Sequence, residues 1–102
     1  MDETTFGDAP AALTLTKILN ENKSCSRQVT RMLSKQVTGL NAISKTPDKG
    51  TRETILLIWH ARFKRLVERS GFPLVVCTHL LNVETGLYRQ LLKESNEGST
   101  AA

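Results

Sequence analysis

The chain has 102 residues, 39% of them hydrophobic and 24% charged, ordinary proportions for one soluble globular domain with a single core. Its net charge of +4 and pI near 9.4 admit nucleic acid or an acidic protein segment as partner and require neither. The longest mainly apolar run, residues 72–81, falls well short of the ~20 residues of a membrane-spanning helix. No membrane association and no secretory leader are expected. Two cysteines, Cys25 and Cys77, make no disulfide framework, which points to a reducing compartment.

Residues 1–9 (MDETTFGDA) are polar and are expected to form a loose arm. A first helix opens near Ala9 or Pro10, since proline suits a first turn, and Leu13, Leu15, Ile18 and Leu19 carry it to about Asn22. Asn20 to Ser26 reads as a connection, and Ser24 or Ser26 can cap a second helix with Val29, Met32 and Leu33 turned inward. A short third helix is predicted around 39–45 on Val37, Leu40 and Ile43. The TPDKG cluster at 46–50 is a turn in which Asp48 or Thr51 can cap the next helix.

The clearest element is Thr51 to Ser70. Ile55, Leu56, Trp59, Phe63, Leu66 and Val67 recur at helical spacing, while Arg52, Arg62, Lys64, Arg65 and Arg69 fill the other face. Ser70-Gly71 ends it, because glycine can adopt the left-handed conformation of a helix terminus. Beyond Pro73, residues 74–81 fit helix or a short buried strand by periodicity, and Val83, Leu87, Leu91 and Leu92 are plainly helical. A lone strand would have no pairing partner, so helix is expected throughout, with a break near Asn82 or Gly86. The closing NEGSTAA reads as loose. The fold class is therefore all-α: a compact bundle of four to six helices over residues 10–94, between an arm (1–9) and a tail (95–102).

Little here resembles a catalytic centre. Cys25, His60, Cys77 and His79 lack the paired spacing of a zinc site, so no metal and no cofactor are expected. No nucleophile elbow and no glycine-rich phosphate loop is present. The ten acidic residues are scattered, and Glu53, Glu68, Glu84 and Glu94 read as solvated helix residues. The residues thus argue against an enzyme and for a function carried by surface recognition. One form is a helix-turn-helix DNA-binding regulator over residues 24–45. Arg27, Arg31 and Lys35 would meet phosphates, Gln36, Thr38 and Asn41 would reach base edges, and SKQ would supply the turn. Another is a module that captures acidic-hydrophobic peptide motifs on a few anchors with Lys and Arg at the rim. A third is a helical adaptor that oligomerises through residues 72–92. Trp59 and Phe63 could be anchors, but their i, i+4 spacing is the pattern of core residues.

Residues 26–67 carry a further pattern: Thr30 and Leu33, then LNAISK at 40–45, then FKRLV at 63–67, with Ile55, Leu56 and Trp59 before it. This series resembles the N-terminal domain of transcription elongation factor TFIIS, shared with elongin A and Mediator. Phe63 stands where that family prefers tryptophan, and its glycine-lysine element is shortened here to Thr38-Gly39. The resemblance implies a non-enzymatic helical scaffold that recruits disordered motifs of transcription-elongation or chromatin factors. It implies a nuclear location, in place of the cytoplasm expected for a bacterial-type DNA-binding regulator. It also implies partner-binding roles for Lys45, Lys64 and Arg65, with Phe63 supporting the fold.

Overall fold

The structure, a computed structural model, describes residues 9–100. The arm expected over 1–9 lies outside the described residues except for Ala9, which is buried as the N-cap of the first helix. Five helices occur in chain order: α1 (Pro10–Glu21), α2 (Arg27–Thr38), α3 (Leu40–Ser44), α4 (Lys49–Glu68) and α5 (Leu74–Thr100). All regular structure among the described residues is helical, as the sequence predicts.

Local chemistry sets the boundaries. Pro10 occupies the first turn of α1, where its missing N–H costs nothing. Ser26 caps α2 by accepting from Val29 N at 3.4 Å. Asp48 caps α4 more tightly, with Oδ2 accepting from Thr51 N at 2.8 Å and from Thr51 Oγ1 at 2.7 Å. These bonds hold the Asp48 carboxyl below its ordinary pKa. After α4, Gly71 has φ of 79°. A Cβ there would meet nothing within 4 Å, so an alanine would suffer from backbone strain alone. Gly71→Ala is expected to destabilise the domain by about 1–2 kcal/mol, measured by chemical denaturation, with Gly71→Asn losing less.

The core is one cluster drawn from every helix: Leu15 and Leu19 of α1, Leu33 and Val37 of α2, Leu40 and Ile43 of α3, Leu56, Phe63 and Val67 of α4, and Leu80, Leu87 and Leu91 of α5. α5 packs along α4 and α1, and α2 and α3 close the other side of α4. Arg52, expected on the basic surface, is instead a half-buried strap. Its Nη1 donates to Thr46 O at 2.6 Å and its Nε to Ser95 Oγ at 2.8 Å, tying the turn before α4 to α5.

Four further expectations, about helix faces and ends, need correction. α2 turns Thr30, Leu33 and Val37 inward and leaves Met32 exposed, because the 30–33–37–40 stripe continues directly into α3. In α1, Ala12 is buried and Leu13 exposed, since Leu15 and Leu19 fix the inward face. α5 shows no break at Asn82 or Gly86; Gly86 sits on an exposed face and costs only helix propensity. Finally, α5 continues to Thr100, into the residues read as a tail.

Candidate functional site

The long helix α4 offers two different sides. One faces α2 and α3. There a groove of about 190 Å³ is lined by Lys35, Gln36 and Gly39 of the α2 end, Ile43 of α3, and Ile55, Ile58, Trp59 and Arg62 of α4. Its floor is apolar and its charges stand at the rim as Lys35 and Arg62. Trp59 is 5% exposed and anchored by its indole N–H, which donates to Gln36 O at 2.7 Å. Gln36 lies in the last turn of α2, where carbonyls are left for donors outside the helix. Beneath, Phe63 packs on Trp59 with ring centroids 5.6 Å apart, so the groove wall rests directly on the core. A second hollow of about 230 Å³, lined by Ile58, Ala61, Arg62 and Arg65, extends the same surface along α4.

The other side of α4 faces α5 and holds a polar pair that the sequence does not lead one to expect. Glu84 is fully buried rather than solvated. Its Oε2 lies 2.7 Å from Nδ1 of His60, and its Oε1 has no partner among the described residues. The His60 ring, a quarter exposed, stacks on Tyr88 at 4.2 Å and 7°. Burial raises the pKa of Glu84, while the hydrogen bond and charge of His60 and the charge of Lys64 oppose that shift. A signal for this burial exists in the sequence. Glu84 sits on the same stripe as Leu80, Leu87 and Leu91, the buried face of α5.

The three positions implied by the family resemblance are not brought together. Arg65 borders the groove extension. Lys64, one residue away and about 100° around the helix, is exposed and lines neither hollow, and its positive charge favours the ionised form of Glu84. Lys45 is exposed at the C-cap of α3 and lines neither hollow. Trp59 and Phe63 are buried, with only Trp59 reaching the groove.

The residues of the DNA-binding reading divide as well. Arg27 and Arg31 line a cavity of about 400 Å³ between α1 and α2, together with Asn20, Lys23, Thr30 and Ser34. Lys35 stands at the groove instead. The SKQ segment makes no turn, because α2 runs through it to Thr38. Gln36 and Thr38 belong to that helix, and Asn41 lies in the five-residue α3. Of the candidate metal ligands, Cys25 is exposed and Cys77 packs against the carbonyls of Val67 and Phe72. His79 lines an open apolar face of α5 with Leu74, Val75, Thr78 and Asn82, within the segment considered for oligomerisation. Among the described residues no three potential metal ligands cluster, and no helix is long and apolar enough to cross a membrane.

Compared with family models, curated proteins and solved structures, the chain matches none.

Proposed function

We propose that this domain is a non-enzymatic protein-interaction module whose groove between α2–α3 and α4 captures short disordered acidic-hydrophobic segments. The observation that carries this reading is the division of labour within the groove: Ile43, Ile55, Ile58 and Trp59 form an apolar floor, and Lys35 and Arg62 supply charge only at its edges. An apolar anchor seated on that floor contributes affinity by desolvation. Flanking carboxylates meet the cations at the rim, including Arg65, and set orientation and on-rate. Lys45 and Lys64 lie outside the groove and add only long-range attraction. The resemblance of residues 26–67 to the TFIIS N-terminal domain directs the choice of partner to transcription-elongation and chromatin factors, and the location to the nucleus.

Trp59 is the chain's single tryptophan, so its fluorescence reports occupancy of the groove. Titration with an acidic-hydrophobic peptide is expected to change it saturably. Ile58→Glu and Arg62→Glu, both at exposed positions, are expected to weaken binding by about tenfold or more while leaving the fold intact. Unchanged affinity in both variants contradicts the reading.

A second reading keeps one observation of its own. Arg27 and Arg31, at i and i+4 along α2, line one hollow with Lys23 and present cations suited to nucleic-acid phosphates, while Lys35 stands apart at the groove. It predicts duplex binding that falls steeply with salt.

A further inference from the structure

The cavity between α1 and α2 takes no part in the groove, and its lining is chemically one-sided. Lys23 from the connection and Arg27 and Arg31 from α2 surround it with Asn20, Ser34 and Thr30, and no carboxylate lines it. Thr30 forms its buried wall, 6% exposed, with an Oγ1 that has no hydrogen-bond partner among the described residues. That is unusual within this molecule. Thr14, Thr16, Thr38 and Thr54 each donate their hydroxyl to the carbonyl four residues earlier, and Thr30, although buried, does not. An unpaired buried hydroxyl is costly, and its donor is unused. The Thr30 Oγ1 is enclosed, and donation into the cavity requires a change of χ1 rotamer, which needs no backbone movement.

We propose that this cavity is a binding site for a dianionic phosphate monoester, as on a phosphorylated side chain or as free phosphate. Arg27 and Arg31, one turn apart on α2, provide planar donor forks for its oxygens, Lys23 adds a third charge, and Thr30 donates from the wall. A terminal monoester can project its oxygens into a recess between two helices. A duplex phosphodiester, held at both ends within a backbone, reaches the cations but not the wall behind them. The site is therefore matched to a monoester rather than to nucleic acid, and it stands independently of the peptide groove.

The test uses the whole ¹⁵N-labelled chain at fixed ionic strength, titrated with inorganic phosphate, a short phosphoserine peptide, its unphosphorylated form and a DNA duplex. Saturable amide shifts centred on residues 20–34 with phosphate and phosphopeptide, and none with the unphosphorylated peptide, are expected. Tighter binding of the phosphopeptide identifies a modified protein as the source; equal or tighter binding of inorganic phosphate identifies the free ion. Arg27→Gln/Arg31→Gln is expected to weaken either ligand about tenfold. Thr30→Val, which keeps shape and removes the hydroxyl, is expected to weaken binding severalfold while melting at the same temperature or higher. Shifts that never saturate, or affinity indifferent to Thr30→Val, overturn the proposal. A duplex that displaces phosphate and shifts residues across 24–45 overturns it in favour of nucleic acid.

Discussion

Replacement of His60 by alanine is expected to lower the unfolding free energy by about 2–3 kcal/mol at pH 7, and by clearly less at pH 4. The variant removes the one hydrogen-bond partner that a fully buried carboxylate has among the described residues and the ring stacked on Tyr88. The loss falls below the roughly 3–5 kcal/mol of a broken, fully buried pair because His60 is itself a quarter exposed. The pH dependence originates in Glu84. Burial raises its pKa above the ordinary 4.5, so between 4.5 and its higher folded value the native state binds more protons than the unfolded chain. The stabilisation linked to that proton is complete below 4.5 and is lost as pH rises through the folded value. Without His60 the opposing hydrogen bond is gone, the shift grows, and the loss is greatest near neutrality. Urea unfolding of the wild type, His60→Ala and Glu84→Gln between pH 4 and 7 tests this. Glu84→Gln should match the wild type at the acid end and gain on it as pH rises. A His60→Ala loss independent of pH contradicts this account.

Phe63→Ala is expected to be the most damaging single truncation, at about 3–5 kcal/mol. The ring is fully buried in the C-terminal half of α4, the helix against which α2, α3 and α5 all pack. Its loss also removes the support under Trp59, so peptide affinity should fall with stability. Trp59→Phe is a useful contrast. It keeps most of the apolar contact and loses the bond to Gln36 O, a change of about 1 kcal/mol. Chemical denaturation distinguishes the two. A Phe63→Ala effect below that of Trp59→Phe would contradict the packing described.

How far the sequence anticipates this structure depends on whether the determining signal is local. Helix ends are announced by local chemistry: of the capping side chains the sequence offers, Ser24 or Ser26 and Asp48 or Thr51, the structure uses Ser26 and Asp48, and Gly71 takes the left-handed conformation after α4. The apolar face of α4 is legible because Leu56, Trp59, Phe63 and Val67 repeat over a long element. In α2 the apolar residues are few, so Val29, Met32 and Leu33 define the inward face ambiguously. Continuity with Leu40 decides it.

The candidate groove is less legible, because it is assembled from three elements. Arg62, Ile58 and Lys35 converge only through the packing of α4 against α2 and α3, which no one-dimensional pattern encodes. Lys64 and Arg65 are neighbours in sequence, yet only Arg65 lines the extension of the groove, while the charge of Lys64 acts on Glu84. Glu84 misleads for the opposite reason: its charge suggests solvent, while its position on the Leu80–Leu87–Leu91 stripe places it inside. A polar residue in register with a buried stripe is better read as half of a pair, with the partner sought on the facing helix.

The most direct test of the peptide-capturing groove is an amide shift map of the labelled domain with an acidic-hydrophobic peptide. The account predicts saturable shifts confined to Lys35–Gly39, Ile43 and residues 55–65, abolished by Ile58→Glu. Shifts absent from that surface, or confined to α5, would contradict it.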